Sequence, residues 1–489
     1  MKVCFMCDLH LPFIRDAIQF DVLDWAVNDI KKKKPACIIF AGDATADGNE
    51  TIYDYFLDKM ISTDIPFLYI AGNSDLRDEK TKESIFHKTS PSLNIIKGIK
   101  IFAVNDSNQS VSENQIKTLD VADSESIVFM HHPFVGIRES DRRSLIKWRE
   151  SHCDTMLFFG HMHFFCLKKN DVSLPAMDPD KAIGGPSIVY YDTDTRELIN
   201  SYYPCPVPKD LSENFGVSCY NPQRDIIFAI ENGLKNLELR PNVLTENEDE
   251  IKDLIAKWRK IGGTNLSIHL SEVSFKDGKV SVGGDYEKLI ELAIKLKAER
   301  FTQHVPKVSV ATVNSDETVI DKIAEFIAER LNAVPYILTV GVENMHMTES
   351  DMPIEERRFG YIPEEVLAFM TAVGKKCKHK VGINFDIGHA RNNVPYSKKY
   401  QIGTWLAMLG KYIVGYHLHQ VKDNGETFEN HTAIDDVYGK LISFASFFRC
   451  WADNKINHAP VVFEMRTENA YEITLNAFKK ETEREKDND

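Results

Sequence analysis

Short apolar runs that stop at a polar residue recur through the first 160 positions. Residues 2–7 are rich in Val, Phe and Cys and end at Asp8; residues 36–41 end at Gly42-Asp43, and residues 67–71 at Gly72-Asn73. Residues 126–130 run into His131, and residues 155–159 into Gly160-His161. Runs of this length bounded by turn residues predict buried strands, so five strand ends are expected to converge on one edge.

The pattern breaks at residues 202–208, where three prolines interrupt regular structure, and turns periodic again at Phe215. Beyond the break, strands are predicted at 215–219, 236–240, 265–270, 300–305, 337–344, 381–386, 413–420 and 460–465. Amphipathic helices are predicted at 285–298, 317–331, 363–376 and 437–452. Alternation of this kind over about 270 residues predicts a (β/α)8 barrel with its site at the carboxyl ends of the strands. The expected organisation is a first domain at 1–205, a linker at 206–214, a barrel at 215–475 and a charged tail at 476–489, the last part of it frayed or disordered.

Composition narrows the classes. With 489 residues, 43% hydrophobic and 27% charged, the chain is long and apolar enough for two or three globular domains. No run is long enough to span a membrane, and the first strand carries a candidate ligand, which argues against a removable leader; a cytoplasmic protein with no membrane partner is expected. The nine cysteines form no disulfide or zinc-ribbon spacing, and Cys4 and Cys7 read as core. A net charge of −14 argues against long tracts of nonspecific nucleic-acid backbone binding, though not against a locally basic cleft. Arg138, Arg142 and Arg143 read as a solvated helix face.

Asp8, His10, Asp43, Asn73, His131, His161 and His163 mix carboxylate, carboxamide and imidazole, the ligand types of a hard divalent pair. A bridging carboxylate such as Asp43 can hold two ions roughly 3.5–4 Å apart, and a water between them readily loses a proton. The ordered elements D-x-H, GD, GN-x-D, H-x-P and GH-x-H make residues 1 to about 200 resemble the calcineurin-like metallophosphoesterases. The resemblance implies a four-layer αββα sandwich hydrolysing phosphomonoesters or phosphodiesters. Asp8, His10, Asp43 and His163 would sit on one metal, and Asp43, Asn73, His131 and His161 on the other. Mn²⁺ is the expected metal, with Fe, Zn or Ni as alternatives. Many members have His directly after the Asn, where it protonates the leaving group; here Ser74 stands there, a poor acid at neutral pH. Such a site either prefers substrates with good leaving groups or borrows another acid, for which His132 is the nearest candidate in sequence, the alternative for His132 being a packed histidine.

In the second half the apolar strands again end in Asp, Glu or His: His269, His304, Glu343, Asp386 with His389, His417 with His419, Glu429 with His431, and Glu464. Buried groups of this kind are costly unless paired or metal-bound. These residues resemble the xylose isomerase-like TIM barrel superfamily, which includes sugar isomerases, epimerases and endonuclease IV-type enzymes. The shared metal core maps to Glu343, Asp386, His417 or His419, and Glu464. The endonuclease IV group adds ligands at places matched by His269, His304, His389, Glu429 and His431, with Glu429 standing where that group has Asp. One to three divalent ions, Zn²⁺ or Mn²⁺, are implied.

Two functions follow. In the first, both domains are phosphoesterases, the barrel acting on nucleic acid or nucleotides. In the second, a phosphatase is fused to a sugar isomerase or epimerase in which Glu343 and Glu464 exchange a proton beside a carbonyl. A noncatalytic scaffold is disfavoured because both ligand sets are intact. Lys422, Asp423 and Arg466 are further candidates for orienting substrate in the barrel.

Overall fold

The structure, a computed structural model, describes residues 1–348, 351, 353–423, 428–467 and 469–486. The chain divides into two units: Met1–Cys205 with Tyr438–Ser446, and Pro206–Val437 with the described residues from Phe447 onward.

The first unit is built on two sheets. In one, Lys2–Met6 pairs in parallel with Cys37–Ala41 and antiparallel with Ser187–Asp192, with Phe67–Ile70 and Leu198–Tyr202 at the edges. The other orders Leu93–Ile96, Ile99–Ala103, Ile127–Met130, Met156–Phe159, Asp171–Ser173 and Cys166–Lys168. Val3, Phe5, Ile39, Ile101, Phe129 and Phe158 fill the space between the sheets. Phe5 and Phe158 stack across it at 3.8 Å between ring centres. Alternation explains this: neighbours on a strand face opposite sides, so Phe102, Val128 and Leu157 turn outward onto Leu119, Leu145 and Trp148 of the helices Glu113–Leu119 and Glu139–Ser151. Outside the first sheet, Tyr190 donates to Asp29 of the helix Ile18–Lys33, and Phe40 packs on Phe56 of the helix Glu50–Ile61. The unit is a four-layer αββα sandwich.

The second unit is a closed barrel of eight parallel strands: Phe215–Cys219, Asn236–Leu239, Asn265–His269, Arg300–His304, Thr339–Glu343, Lys380–Asp386, Ile413–Leu418 and Val461–Phe463. Closure is made by Phe215 and Val217 pairing with Val461 and Phe463. Two of the barrel's helices start at side-chain caps. Asn221 accepts from the Arg224 amide ahead of Pro222, and Asn247 accepts from the Asp249 and Glu250 amides, which satisfies donors that a helix start leaves open.

Two expectations need correction. The helix expected at 437–452 exists only as Ala445–Ala452; most of the stretch before it belongs to the first unit, where Tyr438 donates to the Cys205 carbonyl and Ser443 N to the Asp180 carbonyl. The charged end continues the helix Ala470–Lys486, because Leu475 and Phe478 bury and Phe478 packs on Phe215 and Phe463; residues 487–489 lie outside the described residues. The nine cysteines are free, and Cys4 and Cys7 are buried. Among the described residues no helix is long and apolar enough to cross a membrane.

Candidate metal centres

The strand ends of the first unit carry their polar residues on sharply turned backbone. Asp8, His10, Asp43, His161 and His163 all have φ between 49° and 67°, a region that costs a non-glycine residue roughly 1 kcal/mol or more and that concentrates at functional sites. Asp75 holds two of these loops: it accepts from the amides of Asp43 (3.0 Å), Ala44 (3.2 Å), Thr45 (2.7 Å) and Gly72 (2.9 Å). Burial and the adjacent Asp43 push its carboxyl up to about 6 against those donors. Gly72 is required by space, since a Cβ there would stand 2.2 Å from Asp43 Oδ1.

The side chains converge. Asp8 Oδ1 lies 3.4 Å from His163 Nε2, His10 Nε2 lies 3.4 Å from His163 Nε2 and 3.7 Å from Asp43 Oδ2. On the other side of Asp43, Oδ2 is 3.5 Å from His131 Nε2, which in turn is 3.1 Å from Asn73 Oδ1; the His161 ring is 5.2 Å from His131. Asp43 thus stands between two donor groups. Asp8 Oδ1 is buried without a hydrogen-bond partner, and Asp8, His10 and His163 each offer an atom within 4.8 Å of the others. Buried polar atoms are almost always satisfied, so unsatisfied oxygen and nitrogen donors gathered this closely fit divalent cations. Burial disfavours charge on Asp43, yet His131 and Arg77 bring its carboxyl down to about 2.

Ser74 is occupied elsewhere: its hydroxyl donates to the Thr45 carbonyl at 2.6 Å and its amide to Asp43 Oδ1 at 2.7 Å. His132 is buried, its Nδ1 3.2 Å from Asp106 Oδ2, its Nε2 without a partner, and its ring 4.6 Å from His161. Arg142 and Arg143 pair with Glu139 on their own helix.

In the barrel, Glu343 is the hub. Its carboxylate is fully buried and lies 3.5 Å from His269, 3.6 Å from His304, 3.3 Å from His417 and 3.6 Å from His389. Glu343, Asp386, His417 and Glu464 form one group, His269, His304 and Glu343 a second, and His389, His419 and His431 a third. His417 Nδ1 is 2.7 Å from Glu464 and 3.9 Å from Asp386, whereas His419 Nε2 is 3.1 Å from Asp386 Oδ1 on the far side. Glu343 Oε1, Asp386 Oδ2, Glu464 Oε2 and His269 Nε2 are buried without hydrogen-bond partners, the same fit for cations. Although burial opposes it, Glu343 is held well below the usual carboxylate range by His417 and His304, and Glu464 by Arg240 and His431.

Glu429 is corrected to a surface residue: it is exposed on the hairpin strand Phe428–Thr432, paired opposite Lys422. His431, two residues on, is buried, with φ 58° and its amide on His419 Nδ1; the turned backbone separates two side chains that a regular strand would align. Arg466 Nε donates to Tyr220, whose hydroxyl donates to Glu464 at 2.8 Å, and Lys422 and Asp423 are exposed.

Several residues here were not anticipated. Arg240 reaches Glu464 at 2.6 Å, Glu272 lies 3.3 Å from His304 Nδ1, and the His346 ring is 4.9 Å from His389. Glu238 lies 3.1 Å from His417 Nε2, and Asp106 receives the amides of His131 and His132. Only the Arg240 position, at the end of the predicted strand 236–240, carried a readable signal.

Comparison with known proteins matches the calcineurin-like phosphoesterase model to residues 1–174 and the xylose isomerase-like TIM barrel model to residues 228–485. A "probable cyclic nucleotide phosphodiesterase" of Xenorhabdus bovienii is 26% identical over 196 residues, 33% of this chain and 78% of that protein. A "probable glycerophosphodiester phosphodiesterase" of Arcobacter nitrofigilis is 28% identical over 163 residues, 28% of this chain and 59% of that protein. Among solved structures, a dimetal phosphatase from Danio rerio covers 39% of this chain and 91% of its own at 11% identity and TM-score 0.32. A D-psicose 3-epimerase from Clostridium cellulolyticum covers 56% and 97% at 15% identity and TM-score 0.38.

Proposed function

The chain belongs to the xylose isomerase-like TIM barrel family and carries a calcineurin-like phosphoesterase domain ahead of the barrel; from this premise we propose that it is a two-domain metal-dependent phosphoesterase. The first domain would cleave phosphodiesters, the class to which both curated relatives' names point, and the barrel would act as a second phosphoesterase on nucleotides or nucleic acid. The observation that carries the barrel reading is the set of three adjacent donor groups, two of which share Glu343. A sugar isomerase-like centre needs only the carboxylate group around His417.

When bound, divalent cations would neutralise phosphate charge and acidify a water. Asp8, His10, Asp43 and His163 would hold one such ion, and Asp43, Asn73, His131 and His161 the other, with Mn²⁺ the expected occupant. His132, held at Nδ1 by Asp106 and without a hydrogen-bond partner at Nε2, would hand a proton to the leaving oxygen, the task to which Ser74 is unsuited. In the barrel, His269, His304 and Glu343, then Glu343, Asp386, His417 and Glu464, then His389, His419 and His431 would hold up to three ions, Zn²⁺ or Mn²⁺.

A second reading rests on Glu343 and Glu464, which face the same His417 nitrogen at 3.3 and 2.7 Å: two carboxylates at one centre could exchange a proton beside a carbonyl, as a sugar isomerase or epimerase requires. Hydrolysis of an activated phosphodiester with Mn²⁺ separates the readings. With two phosphoesterases, Asp43→Asn and Asp386→Asn each leave partial turnover and the double variant leaves none. Complete loss in Asp43→Asn alone removes simple diesters from the barrel's substrates and turns the choice to the isomerase.

A further inference from the structure

One buried carboxylate in the barrel lies outside the three donor groups yet touches their central imidazole. Glu238, on the strand Asn236–Leu239, is fully buried. Thr302 Oγ1 donates to its Oε2 at 2.6 Å, Ser267 Oγ to Oε2 at 3.3 Å, and Ser218 Oγ to Oε1 at 3.3 Å. These hydroxyls come from the strands Phe215–Cys219, Asn265–His269 and Arg300–His304, so the barrel builds a polar floor around one anion. A buried carboxylate is expensive unless hydrogen-bonded, and three neighbouring strands committing hydroxyls to it imply a task.

The task is visible at Oε1, which lies 3.1 Å from His417 Nε2. Carboxylates face both ring nitrogens and neither nitrogen has a hydrogen-bond partner; since a carboxylate only accepts, the side with one carboxylate suits the ring hydrogen and the side with three suits a cation, which puts the hydrogen of a neutral His417 ring on Nε2. The lone pair is then left on Nδ1, and Nδ1 faces Glu464 Oε2 at 2.7 Å, Glu343 Oε2 at 3.3 Å and Asp386 Oδ2 at 3.9 Å. A lone pair aimed at three carboxylates is repulsive, so either a second ring proton or a cation must stand among them, and three carboxylates converging on one nitrogen suit a divalent cation. We propose that Glu238 is a positioning residue that fixes His417 as the Nε2–H tautomer with Nδ1 turned to a divalent cation shared with Glu343, Asp386 and Glu464. This rests on the reading that the barrel binds divalent metal. It adds a residue from the second barrel strand and a reason for its burial.

Partners behind a ligating histidine typically contribute 10–100-fold in metal affinity. The test is calorimetric titration of Zn²⁺ into the chelator-stripped full chain carrying Asp8→Asn and Asp43→Asn, so that uptake reports the barrel. Adding Glu238→Gln or Glu238→Ala is expected to weaken the Glu343-centred site by about 10–100-fold, and Thr302→Val by less. Affinities within about twofold in both Glu238 variants, with zinc bound normally before the change, would overturn the positioning role alone. No zinc uptake by the barrel before the change would overturn the metal reading itself. Should the variants misfold, nitrogen-15 spectra of histidine-labelled, Zn²⁺-loaded chain with Glu238 intact decide the question, the His417 signal being assigned by its loss in His417→Asn. A ring protonated at Nε2 is expected, and one protonated at Nδ1 contradicts the proposal.

Discussion

A single substitution separates this phosphoesterase site from the pattern its first domain otherwise follows: Ser74 follows Asn73, and its hydroxyl is spent on the Thr45 carbonyl. Ser74 is thus unsuited to supply a proton to a poor leaving group. His132 meets the geometric conditions, because Asp106 fixes its Nδ1 side and its backbone amide while Nε2 is buried without a partner beside His161. General acid catalysis contributes roughly 10²–10⁴-fold, and only where the leaving group needs the proton. His132→Ala is thus expected to slow alkyl phosphodiesters by about 100-fold while leaving nitrophenyl diesters within a few-fold. A parallel series of the two substrate types in Mn²⁺ checks this, and equal slowing of both would assign His132 to packing around His131 instead.

At the scale of elements, most strands and their polar ends were readable, because an apolar run closing on Asp, Glu or His is hard to explain by packing. Glu238 was not, since an acid alternating with leucines in Asn236–Leu239 looks solvent-facing until the barrel closes over it. The stretch 437–452 read as one helix; Val437, Ile442, Phe444 and Trp451 in it are all buried, but periodicity does not say which core an apolar residue enters. Glu429 and His431 misled in the opposite way. Two apart on one strand, they should share a face, yet a register irregularity in the hairpin and the positive φ of His431 part them. Glu429→Gln should leave zinc content and affinity of the barrel unchanged, whereas His431→Ala removes a donor from the His389–His419–His431 group and lowers uptake by about one ion per chain. Metal analysis after equilibrium dialysis distinguishes them; a loss in Glu429→Gln would restore it to the ligand set.

For the whole molecule, the consequence of chain order is that the first unit is not made by the first 205 residues alone. Residues 438–446, which follow seven barrel strands in sequence, are part of that unit. Gly184 N donates to the Tyr438 carbonyl, Ser443 N to the Asp180 carbonyl, and the Tyr438 hydroxyl to the Cys205 carbonyl. The loop they hold is the one whose Asp178 amide donates to the Asp8 carbonyl and whose Ile183 amide donates to the His163 carbonyl. The strap therefore braces the backbone of two candidate ligands, both at strained φ. Replacing residues 438–446 by a Gly/Ser stretch of equal length in the full chain removes the buried side chains of Tyr438, Ile442 and Phe444, at about 1.5–3 kcal/mol each. At roughly 2–4 °C per kcal/mol for a unit of this size, the first unit should melt about 10 °C or more lower. Its Mn²⁺-dependent hydrolysis should fall with it, while zinc uptake by the barrel stays unchanged. Unchanged melting together with unchanged hydrolysis would show that the loop at 178–185 stands without it, and that the strap is only a connection between two barrel strands.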